Sequence, residues 1–301
     1  MVRVRTATRL SPEQHRQVLD FLDVAHVLDC ARLNDHLRID LAQGPRAGFV
    51  AALAEDEAGA LVGYGQASSG NDGYVIDGIM LSEFAGDIGE AEYLLLTALL
   101  GALPADAAIT WWAHPDEASA AIARRLGMHP DRRLLKMERP LPIDATARVA
   151  LRSFRPGVDD RAWLEVNNAA FADHAEQGGW DLDTLHQREA EPWFDADGFL
   201  LHERDGRLAA FCWVKIHPTD DGTAPIGEIY VIAVHPDFHG SGLGRELTVA
   251  GLEHMSTRGA GSAMLYVDAA NTAAVRLYEQ LGFIVATSEQ SYRRKPAGVM
   301  R

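Results

Sequence analysis

An internal repeat constrains this chain more than any other feature of its sequence. Residues 112–128 read WAHPDEASAAIARRLGM, and residues 267–283 read VDAANTAAVRLYEQLGF. Each segment combines a strand end, a polar helix cap (Asp116 or Asn271), an alanine-rich helix and a closing Leu-Gly pair, and equivalent positions lie 155 residues apart. In a chain of 301 residues, a repeat with this offset predicts two similar domains.

The order of elements within each copy indicates the fold class. Each copy begins with a short strand and a proline-containing helix start, and then alternates strands with helices. We therefore predict an α/β fold with two tandem domains, each a mixed central sheet flanked by helices. The expected boundaries are residues 1–140 for the N-terminal domain, 141–150 for a proline-bearing linker and 151–301 for the C-terminal domain.

A glycine-rich loop separates a strand from a helix in the second copy. Residues 229–247 read IYVIAVHPDFHGSGLGREL, and the β-branched run Ile229–Val234 predicts the strand. Gly240, Gly242 and Gly244 follow before a leucine-containing helix start. Glycines in this position allow an anionic group, such as a phosphate, to reach the N–H groups at a helix N-terminus. A flexible turn is the alternative.

The first copy lacks this glycine spacing. Its corresponding region, DGIMLSEFAGDIGEAEYLLLTALL, keeps the strand and the helix but places Glu83, Asp87 and Glu90 where a phosphate would bind. Carboxylates repel a phosphate, so we expect the N-terminal domain to have lost productive cofactor chemistry.

Charge and composition exclude several classes of function. The net charge of −15 argues against non-specific nucleic-acid binding, and no run approaches the roughly 20 apolar residues of a membrane span. The N-terminus lacks the apolar core of a signal peptide, so a cytoplasmic protein is expected. Cys30 and Cys212 cannot build a disulfide framework, and His174 near Glu176 has no third ligand at a sensible spacing. We therefore predict no metal, no membrane and no nucleic-acid partner.

The second copy resembles a known family. A strand ending in VIAVHP, the loop HGSGLGREL and the later segment NTAAVRLYEQLGF are similar to the GNAT acyl-CoA N-acetyltransferases. The family's loop reads Gln/Arg-x-x-Gly-x-Gly/Ala, and here His239 occupies the first position. The resemblance covers residues 151–292 well and residues 1–140 in diluted form. It implies two tandem GNAT-like domains, the first degenerate and the second catalytic, with acetyl-CoA as co-substrate.

A narrower resemblance concerns the acceptor. The segments NNAAFADHAEQGGW (167–180) and GEIYVIAV (227–234) are similar to the tandem GNAT enzymes that acetylate the cysteine amine of desacetylmycothiol, a Cys-GlcN-inositol conjugate. This similarity implies direct transfer to that small molecule. We expect the protein to be a monomer. Two alternatives stay open: a tandem GNAT N-acetyltransferase for another small amine or aminoglycoside, and a non-catalytic acyl-CoA sensor.

The resemblance assigns two catalytic residues. Glu228, before the strand, corresponds to the base that removes a proton from the ammonium, and Tyr278 corresponds to the acid that protonates the thiolate. A phenol with a reference pKa of about 10 suits that second step. The alternatives are a solvated glutamate at a strand start and a core tyrosine packed beside Leu277 and Leu281.

The resemblance also assigns cofactor and substrate contacts. The expected cofactor-binding residues, a vestigial groove in the first copy included, are Ile232, Ala233, Val234, His239, Gly240, Ser241, Gly242, Leu243, Gly244, Arg245, Asn271, Thr272, Ala273, Ala274, Val275, Arg276, Ile79, Met80 and Leu81. The expected substrate-binding residues are Asp35, Glu176, Lys215, Glu228 and Tyr266. Each could instead be a surface residue, and Asn271 is also a good helix N-cap. Lys215 is the more suggestive, because the chain has only three lysines and places this one in an apolar strand.

Overall fold

The computed structural model describes residues 2–27, 33, 35–43, 47–70, 73–81, 87–172, 177–219 and 222–295. Its contacts divide the chain into two compact units. Unit 1 comprises Met1–Arg132 and Glu289–Arg301, and unit 2 comprises Arg133–Ser288. Within the described residues, no helix has both the length and the apolar character needed to span a membrane.

The elements alternate along the chain as the sequence predicts. The strands are β1 (Arg3–Ala7), β2 (Val50–Glu55), β3 (Leu61–Gly70), β4 (Gly73–Met80), β5 (Ile109–Ala113), β6 (His129–Pro140), β7 (Arg152–Ser153), β8 (Phe199–Arg204), β9 (Arg207–His217), β10 (Ile226–Val234), β11 (Ser262–Asp268) and β12 (Ile284–Arg294). The helices are α1 (Pro12–Val27), α2 (Asp35–Gln43), α3 (Ile88–Ala102), α4 (Glu117–Arg125), α5 (Asp160–Ala170), α6 (Leu182–Glu189), α7 (Leu243–Thr257) and α8 (Thr272–Gln280). Short 3₁₀ turns occupy Ala196–Gly198 and Pro236–Phe238.

Unit 1 is built on strands in the order β1-β2-β3-β4-β5-β12. The β4–β5 pair is parallel, and the other pairs, including β5–β12, are antiparallel. The buried side chains of Leu95 and Leu99 from α3 cover one face together with Trp111. Phe21 from α1 and Leu37 from α2 belong to a second apolar cluster.

A half-buried carboxyl in unit 1 gives the stability of this unit a pH dependence. Burial, helped by the charges of Glu289 and Glu92, raises the pKa of Asp77 on β4 to about 8, although Gly78 N–H donates to Oδ1 at 2.8 Å. An unfolded aspartate loses its proton near pH 4, so the folded state binds the extra proton between about pH 4 and pH 8. The stability of unit 1 therefore falls as the pH rises through that window.

We expect Asp77→Asn to raise the melting temperature above pH 8 by roughly 3–5 °C, the shift that about 1 kcal/mol gives in a unit of this size. The asparagine keeps the acceptor for Gly78 N–H and cannot ionise. Thermal unfolding at pH 5 and pH 8.5 checks this, with the exposed Asp106→Asn as the matched control. If stability falls equally between pH 5 and pH 8.5 in Asp77→Asn and in Asp106→Asn, the pH dependence does not come from Asp77.

Unit 2 has the strand order β7-β8-β9-β10-β11-β6. The β10–β11 pair is parallel, and β6, which comes first in the sequence of this unit, pairs antiparallel with β11. The predicted linker, residues 141–150, lies in unit 2, where the N–H groups of Ala147 and Arg148 donate to Glu253 and Glu246 of α7. The domain boundaries expected on either side of residues 141–150 stay a prediction.

Two apolar clusters cover the opposite faces of the unit 2 sheet. On one face, Leu247 of α7 and Tyr278 of α8 belong to the cluster that includes Cys212 of β9. On the other face, Trp163 of α5 packs edge-to-face against Phe199 and Trp213, with ring centroids 5.6 and 5.9 Å apart. In both units the parallel pair occupies the fourth and fifth strands. The predicted fold class, two tandem mixed-sheet domains flanked by helices, is confirmed.

Candidate functional site

The strand β10 has an unpaired stretch in its second half. The β10–β11 ladder covers only residues 226–229 against 262–265, whereas β10 continues beside β9 as far as Val234. A register shift between Ile229 and Val231 marks a bulge. Successive N–H groups in a strand point to opposite edges, and His235 N–H donates to Ala209 on the β9 side. The N–H of Val234 therefore faces the open side, where an extended ligand can pair with the backbone.

The glycine loop follows this strand. Nε2 of His239 lies 2.9 Å from the carbonyl oxygen of Val234, so the histidine ties the loop back to the strand. Gly240 and Gly242 have φ angles of +73° and +79°, and a Cβ atom added at either would meet nothing within 4 Å. Backbone conformation favours glycine at both positions, and the space beside them is open.

The loop leads into an uncapped helix N-terminus. Gly242 is the N-cap of α7 and provides no side-chain hydrogen bond. Its carbonyl oxygen accepts from the N–H groups of Arg245 and Glu246, while Leu243 and Gly244 precede the first intrahelical bonds. Because the helix dipole is positive at this end, these N–H groups suit an anionic ligand.

The equivalent helix of unit 1 is different. The carboxylate of Asp87 caps α3 and accepts from Glu90 N–H at 3.1 Å, so a negative side chain already occupies that N-terminus. Glu83, which was expected beside it, lies outside the described residues. The repeat offset aligns Ala123 with Tyr278. Strand register in the parallel pair of each unit aligns Tyr74 with Glu228. Unit 1 therefore has neither of the two expected catalytic side chains.

The helix α8 begins with a capped turn. Oδ1 of Asn271 accepts from Ala274 N–H at 3.2 Å, so Asn271 acts as the helix N-cap, and its contact with a cofactor stays a prediction. A Cβ atom at Gly244 would lie 3.6 Å from Leu277, which places the first turn of α7 against α8. The cofactor residues expected on α7 and α8 therefore belong to adjoining helices. The other expected members of α8 are Thr272, Ala273, Val275 and Arg276.

Tyr278 lies in the core beneath this region. Its side chain is buried, and its ring centroid is 5.8 Å from that of Phe283. Burial raises the pKa of the Tyr278 phenol well above its usual value, and the neighbouring Cys212 adds to the effect. The phenol therefore carries its proton throughout the neutral range. Burial also raises the pKa of the Cys212 thiol to about 12, which leaves it unreactive as a nucleophile.

Three of the expected substrate residues share the opposite face of the unit 2 sheet. Glu228 on β10 lies directly across from Lys215 on β9, and both are 8% exposed. Nζ of Lys215 is 4.8 Å from the ring centroid of Trp193 and 5.5 Å from that of Tyr230, both cation–π distances. Tyr266 on β11 is 46% exposed. It lies two residues after Met264, the strand partner of Glu228, and residues two apart in a strand share a face. Lys215, Glu228 and Tyr266 are thus brought to one face.

The structure describes the remaining expected residues less fully. Glu176 lies outside the described residues, and Asp35 is the first residue of α2, with a side chain that is also outside them. Ile79 and Met80 end β4, and Leu81 follows; all three are buried in the core of unit 1. Their contact with a ligand stays a prediction. Among the described residues, no group of three or more His, Cys, Asp or Glu side chains could hold a metal ion.

Sequence reasoning missed one residue of this face. Nε2 of His217, the last residue of β9, lies 2.6 Å from Oε2 of Glu228. The signal was present in the segment FCWVKIH, because residues two apart in a strand share a face, so His217 accompanies Lys215. The region thus combines a buried carboxylate on one face, a protonated phenol on the other and an open strand edge between them. This arrangement suits proton removal from one reactant and proton delivery to another.

Several known proteins are similar to this chain. The model of the acetyltransferase (GNAT) family matches residues 163–283. A mycothiol acetyltransferase of Thermobispora bispora is 53% identical over 190 residues, which are 61% of this chain and 64% of that protein. The chain thus spans less than two thirds of that relative. A mycothiol acetyltransferase of Thermomonospora curvata is 42% identical over 95% of this chain and 96% of its own length.

Solved structures are similar in fold. A GCN5-related N-acetyltransferase from Sphaerobacter thermophilus has a TM-score of 0.72 at 18% identity, covering 100% of this chain and 98% of its own. A tandem GNAT protein from the clavulanic acid biosynthesis pathway has a TM-score of 0.69 at 16% identity, and both chains are covered completely. At these identities the similarity shows the fold alone.

Proposed function

Because this chain belongs to the GNAT acetyltransferases, with relatives named mycothiol acetyltransferase, we propose that it transfers the acetyl group of acetyl-CoA to the cysteine amine of desacetylmycothiol. The product is mycothiol, and the enzyme would act as a mycothiol synthase. The observation that carries the proposal is the buried Glu228 opposite Lys215, beside the open edge of β10. A carboxylate and a hydrogen-bonding cation on one face suit an ammonium-bearing, hydroxyl-rich acceptor.

The proposed mechanism uses Glu228 on one face of the sheet as the base and Tyr278 on the other face as the acid. Glu228 takes a proton from the acceptor ammonium, directly or through water, and the neutral amine attacks the thioester carbon. As the C–N bond forms, the nitrogen loses its second proton to solvent. The C–S bond then breaks, and Tyr278 on the opposite face gives its phenolic proton to the leaving thiolate and regains one from solvent. The acceptor would thus enter from the Glu228 face, and the thiol would leave towards Tyr278. No acyl-enzyme is required, since the buried Cys212 is held as a thiol.

The glycine loop would bind the pyrophosphate of acetyl-CoA. The N–H groups at the start of α7 are the donors, and Val234 would pair with the extended arm of the ligand. These local donors are needed because the net charge of −15 repels an anion over the molecule as a whole. Since acetyl-CoA is the donor, we propose a cytoplasmic enzyme, and we expect it to act as a monomer.

We expect Gly242→Ala to raise the Kd for acetyl-CoA about tenfold, a loss of roughly 1.4 kcal/mol. Alanine at φ +79° strains the loop and displaces the donors at the start of α7. The matched control is Gly259→Ala beyond the other end of α7, where φ is +81° and the space is equally open. Calorimetric titration should show weaker binding for the first variant only. Equal affinities in the two variants would remove the loop from the cofactor site.

The proposed function is tested by measuring free CoA released from acetyl-CoA. The acceptors compared are the Cys-GlcN-inositol conjugate, cysteine, glucosamine and an aminoglycoside. A strong preference for the conjugate is expected. Preferential turnover of another amine would overturn the acceptor assignment, and tight CoA binding without any turnover would favour the sensor alternative.

A further inference from the structure

Glu228 has a hydrogen-bonding partner that the expected catalytic set does not include. Its Oε2 atom lies 2.6 Å from Nε2 of His217, on the neighbouring strand β9. The side chain of Glu228 is 11% exposed, whereas that of His217 is 32% exposed. The imidazole therefore lies at the solvent side of a nearly buried carboxylate and contacts one of its two oxygens.

The strand neighbours of Glu228 on either side differ from His217 in how they face its carboxylate. From β9, Lys215 faces it directly, but the ammonium lies against the rings of Trp193 and Tyr230. From β11, the residue opposite is Met264, which cannot ionise.

The helix packed on this face adds no charge to the carboxylate. The buried residues of α5 nearest the sheet, Trp163, Val166 and Asn167, cannot ionise, while Arg161 and Glu165 are exposed. The buried Asp160 accepts from Gly157 N–H and contacts His186. In the described part of the chain, the titratable side chains of β9 and β10 that face Glu228 are thus Lys215, Tyr230 and His217. Tyr266 of β11 and Lys136 and Glu138 of β6 also share this face.

We propose that His217 is a positioning residue for Glu228. The Nε2–H group donates to Oε2, which holds the carboxylate in one orientation and leaves Oε1 to accept the amine proton. In a buried site such a hydrogen bond is stronger than in water. This inference rests on the proposed function, in which Glu228 is the base.

Two substitutions separate positioning from structural support. Leucine at position 217 removes the donor, whereas glutamine supplies an amide N–H with a similar reach. We expect His217→Leu to lower kcat/KM for the acceptor at pH 7 by about 10- to 100-fold. His217→Gln should stay within about threefold of the unchanged chain, since the donor is kept. The KM for acetyl-CoA should be the same in all three proteins.

A kcat/KM of His217→Leu equal to that of the unchanged chain would overturn the proposal. Equal losses in the leucine and glutamine variants would also overturn it, because a donor alone would then not be sufficient.

A second measurement does not depend on turnover or on the leucine variant folding. The ¹⁵N NMR signals of the His217 ring, assigned by their absence in His217→Gln, report which nitrogen carries the proton. A proton on Nε2 supports the hydrogen bond to Glu228 even if the chain fails to acetylate the conjugate. A ring protonated at Nδ1 alone would overturn it, whatever the enzyme's activity.

Discussion

Glu228→Gln is expected to lower kcat/KM for the acceptor about 100- to 10,000-fold, the range that general-base catalysis contributes. Glutamine has nearly the same shape but cannot accept a proton from the ammonium. The loss should shrink as the pH rises above about 8, because an α-amine with a pKa of roughly 7.7–8.0 is then neutral without help. Initial rates of CoA release between pH 6.5 and 9.5 measure both effects.

The matched control for this variant is Glu138→Gln. Glu138 lies on β6 opposite Met264, which in turn lies opposite Glu228, so both glutamates belong to one row of the sheet. The side chain of Glu138 is 41% exposed and forms an ion pair with Lys136. We expect its kcat/KM to stay within about twofold, as for most surface changes. Undiminished turnover by Glu228→Gln, with acetyl-CoA affinity intact, would remove Glu228 as the base.

Tyr278→Phe is expected to lower kcat about 100-fold or more, within the usual range for the loss of a general acid. Burial keeps the phenol protonated, so the loss should be the same throughout the neutral pH range. Phenylalanine retains the packing against Phe283, and the melting temperature should change little. Steady-state kinetics with thermal unfolding on the same samples measures both quantities.

A second acyl donor distinguishes acid catalysis from a packing defect. A thioester whose thiol leaves without protonation needs no general acid, so Tyr278→Phe should lose much less activity with that donor. A packing defect would lower both rates to the same extent. Equal losses with the two donors would therefore assign Tyr278 a structural role only.

Local sequence patterns were sufficient for the fold and for part of the site. The repeat predicted two similar domains, and the run Ile229–Val234 predicted the strand before the glycine loop. The alternating glycines predicted an open loop, and Gly240 and Gly242 do have positive φ angles. These features depend on the periodicity and backbone preferences of neighbouring residues, which the sequence states directly.

The assignments of Glu228 and Tyr278 came from family resemblance, and their roles stay predictions. Their placement on opposite faces of β10 could not be derived from spacing, because a bulge between Ile229 and Val231 shifts the side-chain alternation.

Only the tertiary structure decided which side chains meet. The sequence by itself determined the repeated α/β units, the open glycine loop and the helix caps. Strand register placed Lys215 opposite Glu228, brought His217 within hydrogen-bonding distance and paired β6 with β11. Backbone hydrogen bonds between strands are the same for nearly every residue type, so they carry little information about partners. Burial of whole faces fixes the register instead, and that depends on every element packed against the sheet.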